Sequence, residues 1–158
     1  MKNVLVAFVA CLVSIVAIAQ SKIEKELQGT WKMTEMNVGG IFANATTKEI
    51  KFSKEIESQL TPEKRAAFNT NKQAFLDKIG ESRVSFSDRK INYVIGKISK
   101  DGTYTIKPQA DAYVLTVTGS DGSNDVMIIG IKNGKLHIVE SDDKNRGEMV
   151  FRKIVISN

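Results

Sequence analysis

This 158-residue chain has one cysteine, one histidine and two prolines. A single cysteine excludes an intrachain disulfide, and one histidine beside it excludes most protein-ligated zinc sites. So few prolines, with 42% apolar and 26% charged residues, exclude a disordered or low-complexity chain. Excess charge of one sign is also scarce. Lys and Arg number 23 against 18 Asp and Glu, and the net +5 is scattered, so it does not argue for nucleic acid. Catalytic signatures are missing as well: the chain has no G-x-S-x-G elbow, no phosphate-cradling glycine loop and no paired-carboxylate motif. Its one imidazole, His137, alternates with Leu136 and Ile138 in an expected strand and has no local nucleophile or orienting partner. The sequence therefore nominates no catalytic residue, no metal ligands and no cofactor, and the protein is expected not to be an enzyme.

What the chain does have begins at its start. Lys2 is the only charge in the first nineteen residues, and Val4 to Ala19 is apolar except for Ser14. The stretch closes on Ala17-Ile18-Ala19 before Gln20, the pattern of a secretory signal peptide cleaved after Ala19. A spanning helix needs about 20 apolar residues and a charged flank to stop transfer, so a membrane anchor is the poorer reading. Cys11 lies too close to the start to be a lipid-attachment site. The expected product is residues 20–158, one domain, secreted or periplasmic, with no membrane span and no cysteine. Its stability must then come from packing alone.

From Glu81 onward, short alternating apolar segments are separated by turn residues. Val84 and Phe86 form the first. Ile91, Tyr93 and Ile95 follow Ser87-Asp88-Arg89, and Asp101-Gly102 is expected to turn the chain into Tyr104 and Ile106. Pro108 to Asp111 precedes Tyr113, Leu115 and Val117, and Ser120-Asp121-Gly122 leads to Val126 through Ile131. Asn133-Gly134 introduces Leu136 and Ile138, and Asp142 to Gly147 introduces Met149 and Phe151. Asp-Gly and Asn-Gly between alternating runs are hairpin signals, and the even spacing is that of a sandwich or an up-and-down barrel. These seven strands join an eighth at about Gly29 to Asn37, where Trp31, Met33 and Glu35 are expected on one face. Closing the meander into an antiparallel eight-stranded barrel removes both exposed edges.

Residues 53–80 read as helix. Ile56 and Leu60 are four apart, and Phe68, Phe75 and Ile79 repeat at helical spacing. Thr61-Pro62-Glu63 has the form of an N-cap, a first-turn proline and a first-turn acid, and Gly80 is placed to end the helix. Two helices, at about 53–60 and 62–79, are therefore expected as an insertion between strands one and two. Val38-Gly39-Gly40 is a break, and Ile50 with Phe52 suggests an extra short strand.

The run Leu27-Gln28-Gly29-Thr30-Trp31-Lys32-Met33 opens the first strand with Gly-x-Trp. Together with the signal peptide, the meander and the ending Glu148-Met149-Val150-Phe151-Arg152-Lys153, it resembles the lipocalin-like, calycin-type domains, in particular small exported ones of Bacteroidetes-type bacteria. The resemblance implies that Gly29 and Trp31 close one end of the barrel and that Arg152, from the last strand, packs across the indole. Such a pair contributes about 0.5–2 kcal/mol and is structural. The chain departs from typical eukaryotic lipocalins in lacking a Thr-Asp-Tyr-type turn and a disulfide, and in placing helices after its first strand. That placement is similar to the fatty-acid-binding proteins, which are cytosolic and have ten strands.

The barrel interior is the candidate binding site, with Trp31, Met33, Phe86, Tyr93, Tyr104, Tyr113, Leu115 and Phe151 as its expected lining. An apolar wall with a few phenols suits a small hydrophobic molecule with a polar end. The same side chains also suffice to fill an eight-stranded barrel. The leading expectation is a carrier of a small hydrophobic ligand. The alternative is a filled barrel that binds another cell-envelope protein through residues 38–60, where Ile41 and Phe42 sit among Lys, Thr and Asn. Three polar motifs are weak. Asp143-x-Asn145-x-Gly147-Glu148 and Asp121 to Asp125 echo calcium loops but read as hairpin turns. Asn44-Ala45-Thr46 fits a glycosylation sequon that acts only in a eukaryotic secretory pathway.

Overall fold

A computed structural model describes residues 22–140 and 147–155. The leader, its Ala19 boundary, Cys11 and most of the Asp143 turn lie outside the described residues. A short helix, α1, covers 22–27 and runs into β1 (Gly29–Val38). Then come β2 (Ile41–Asn44), β3 (Glu49–Phe52), α2 (Lys54–Gln59) and α3 (Pro62–Glu81). Seven strands complete the chain: β4 (Arg83–Ser87), β5 (Lys90–Ile95), β6 (Ile98–Gln109), β7 (Ala112–Gly119), β8 (Asn124–Lys132), β9 (Lys135–Glu140) and β10 (Glu148–Lys153). Strands β4 to β10 pair antiparallel in sequence order, and β10 pairs back onto β1, so eight strands close into a barrel. The expected mainly β fold is the observed one.

Two details differ from expectation. The helices follow β3 rather than β1, because the unclear stretch after Val38 forms a hairpin, β2–β3, that extends the sheet to ten strands. Left-handed Gly39 and Gly40 make its first turn. The second concerns Asp101-Gly102, which sits inside β6; the chain turns at Gly96-Lys97, pairing Ile95 with Ile98. Gly102 serves close approach instead, since a side chain there would run into the Thr118 carbonyl.

Strand β1 has neighbours on both sides. Gly29–Lys32 pairs with β4, Glu35–Val38 pairs with β2, and Trp31–Asn37 pairs with β10 on the other edge. A bulge between Met33 and Glu35 shifts the alternation. Glu35 therefore faces outward, where it accepts from Lys135 Nζ at 2.7 Å, and Met36 takes the inward side opposite Met149. At the bulge the Met33 N–H donates to the Ser82 carbonyl at 2.9 Å, which ties the end of α3 to the ring.

The helices form for local reasons. Ser53 and Thr61 cap α2 and α3 by accepting from the amides of Ile56 and Lys64. Helix α3 lays Leu76 and Ile79 into the core and touches β1 and β5. It runs past Gly80 to Glu81, and Ser82 is its C-cap. An edge-on chain of rings, Phe52, Phe68 and Phe75, fixes it to β3.

One barrel end is shut. Leu27 of α1 is fully buried and Ile23 nearly so, while the Trp31 indole N–H donates to the Leu27 carbonyl at 2.7 Å. Alternation puts Arg152 opposite Lys32 on the outer face, and the cation over the indole is Lys153, whose Nζ lies 5.3 Å from the ring centroid. That ammonium also donates to the Glu26 carbonyl at 3.0 Å, and its stem passes over Gly29, at φ 106, where a side chain would crowd it. The closing residue is thus the one next to the residue the family resemblance implied. Lys153→Ala should cost about 1–2 kcal/mol, the worth of one cation–π contact and one hydrogen bond. Arg152→Ala should stay within about 0.5 kcal/mol of the parent. Urea unfolding of both variants checks the contrast.

Candidate functional site

The inward side chains divide the barrel by height. Near α1 the interior is solid. Trp31, Met33, Phe86, Tyr104, Ile106, Leu136 and Phe151 are buried there, with the Phe86 and Tyr104 rings edge-on at 5.3 Å. The Tyr104 hydroxyl accepts from Gln28 Nε2 at 3.2 Å, and burial raises its phenol above the ordinary value. Five of the eight residues expected to line a site, Trp31, Met33, Phe86, Tyr104 and Phe151, are therefore packed filling. Tyr113 sits at this closed end too, beside Ile23 and Glu26 of α1.

Toward the other end the barrel is hollow. A cavity of about 610 Å³ opens there. Its floor is Val84, Ile91, Leu115, Ile138 and Met149, and its upper wall includes Ile95, Ile98, Val126 and Met127. Of the expected lining only Tyr93 and Leu115 face it. Ile98 and Val126, at its lip, are 63% and 47% exposed.

One polar cluster interrupts this wall. Asp125, the second residue of β8, accepts at a single oxygen, Oδ2, from Lys100 Nζ at 2.6 Å and from Tyr93 Oη at 2.8 Å. All three reach inward because positions 93, 100 and 125 lie on the same faces as Ile91, Tyr104 and Met127. The Lys100 ammonium, then the Tyr93 hydroxyl, hold the Asp125 carboxyl below the usual carboxylate range. Burial foremost, then the bond to Asp125 and the charges of Asp125, Asp121 and Glu140, push the Tyr93 phenol well above its ordinary value. At neutral pH the cluster is accordingly a neutral donor, a cation and an anion, all engaged. Glu140 sits at the end of β9, exposed at the rim.

Other candidates lie elsewhere. His137 is on the outer face, Nδ1 2.8 Å from Glu148 Oε1. Asp121 folds onto its own turn, accepting from the Ser123 amide and hydroxyl. Asn44 Oδ1 caps its own turn by accepting from the amides of Thr46 and Thr47. Among the described residues no three His, Cys, Asp or Glu side chains are grouped as metal ligands.

The closed antiparallel barrel fits a calycin-like fold. The sequence matches no protein-family profile and no curated protein. Among solved structures it is similar to a DUF4847 family protein from Bacteroides vulgatus ATCC 8482, at 17% identity. That likeness covers 84% of this chain and 99% of the other with a TM-score of 0.48.

The cluster sets a pH dependence. Asp125 has a lowered carboxyl pKa in the folded state, so the stability it contributes is present above the unfolded carboxylate value of about 4. It is lost as pH falls through the folded value. Asp125→Asn should flatten that part of the acid limb of a stability-against-pH curve. It should also let Tyr93 ionise at lower pH than in the parent, read as phenolate absorbance in alkaline titration.

Proposed function

We propose that this protein is an exported, non-enzymatic, lipocalin-like barrel that binds a small, mostly hydrophobic molecule in the open half of its interior. The observation that carries the reading is the division of the barrel: a solid end that needs no ligand, and a cavity of about 610 Å³ with apolar walls and one polar cluster. Ligand sites in general have this composition, mostly apolar with a few placed polar groups. Ile98 at the lip, with Ile95 and Met127 behind it, gives an apolar guest a surface from mouth to floor. The N-terminal pattern supports the export part of this reading: Lys2, apolar Val4 to Ala19 and the small residues before Gln20.

A second reading has one observation in its favour. Within residues 38–60, β3 ends the sheet order, and an edge strand presents backbone groups that a partner chain can pair with. An envelope protein bound there would leave the cavity unused.

Native mass spectrometry of the protein taken from its host, without denaturation, should show added mass that organic extraction removes. Met127→Trp, which fills the cavity from its wall, should lower affinity for the neutral fluorescent probe N-phenyl-1-naphthylamine at least tenfold while the circular dichroism spectrum is kept. Probe affinity unchanged by that substitution places binding outside the barrel and sinks the carrier reading.

A further inference from the structure

The charges around the cavity are unequal in sign. Lys100, Asp125 and Glu140 are the charged residues of its wall. The Lys100 ammonium, 2.6 Å from Asp125 Oδ2, is already matched. Asp121, in the turn between β7 and β8, adds a further negative charge felt by both Tyr93 and Asp125, and Glu140 acts on Tyr93 as well. A guest lying against Ile95, Ile98 and Met127 would therefore put its polar end among carboxylates.

We infer that the ligand this cavity selects is a lipophilic amine, its alkyl body against the apolar wall and its ammonium at the rim near Asp125 and Glu140. The inference rests on the binding reading above and adds the sign of the head group. A carboxylate head would meet two like charges. The one wall cation it could reach, Lys100, already has its charge offset by Asp125. An ammonium head displaces nothing. It adds a cation where the wall carries a surplus of anions, and the low-dielectric lining strengthens that attraction relative to bulk water. A neutral alcohol gains the apolar contacts alone.

The test uses three probes with one chain length, decylamine, decanoate and decanol, each below its micelle-forming concentration at pH 7 and low ionic strength. Isothermal titration calorimetry on the purified protein should find the amine bound about tenfold or more tighter than decanoate, with decanol between. The gap should shrink as salt is added. Glu140→Gln should narrow the gap, and Glu140→Lys should close or invert it with decanol little changed; Glu140 is exposed, so neither variant threatens folding. Decanoate binding as tightly as decylamine, or an amine preference untouched in Glu140→Lys, overturns the inference, while decanol binding that Met127→Trp abolishes leaves the cavity reading standing. Failure of all three probes to bind removes the cavity reading and the inference with it.

Discussion

Everything in the fold follows from β1 having to satisfy partners on both edges along its length. β10 runs along one edge, while the other is shared between β4, beside Gly29–Lys32, and β2, beside Glu35–Val38. A strand serving two neighbours in succession has to change its facing between them, and the bulge at Thr34 makes that change. It sends Glu35 out to Lys135 and turns Met36 in. Beside it the Met33 amide extends the β1–β4 ladder by donating to the Ser82 carbonyl, where α3 delivers the chain into β4. The helical insertion is thus bonded into the ring at the one irregular step. Without closure, β1 and β10 would both carry unpaired backbone at the point where the largest core residues meet.

The ring was legible because its signal is purely local. Alternation with period two marks all seven strands after Glu81, and Asn133-Gly134 adopts the left-handed pair its sequence demands. Cap chemistry was equally readable at Thr61-Pro62-Glu63. What escaped was non-local. Four-residue strands such as β2 and β3 are too short to show a period, and their pairing with β1 depends on the bulge. Gly102 follows an aspartate as a turn glycine would, yet its role is set by the Thr118 backbone on the neighbouring strand. Arg152 and Lys153 are adjacent cations, and only the register of β10 against β1 decides which one crosses Trp31.

The site was less legible than the fold, for a related reason. Period two tells which side chains enter the barrel but says nothing about their height along its axis. Trp31, Phe86, Tyr104 and Phe151 are inward and large, and so were natural choices for a lining; they are also what fills the end that α1 closes. Tyr93 and Leu115 lie higher and do face the cavity. Lys100 and Ile98 were lost once a turn was placed at Asp101-Gly102, although counting back in twos from Tyr104 finds both. Asp125 was hidden by its neighbours, since the Asp121 to Asp125 stretch has the composition of a turn.

The partition between a filled and a hollow end has an energetic logic. A chain with a single cysteine, and so no intrachain disulfide, depends on tight packing, and the closed end supplies it with aromatic and branched side chains shielded from water by α1. A cavity forfeits those contacts, so it is tolerable only where the rest of the core is complete. The ion pair follows the same division. Placed beside Phe86 and Tyr104, Lys100 and Asp125 would lose hydration that their mutual attraction does not fully return. At the mouth, with side chains 18% and 37% exposed, they keep part of it, and the Tyr93 hydroxyl supplies a further bond to the carboxylate. Charge is therefore placed where it can keep its hydration, and the depth below it is left apolar.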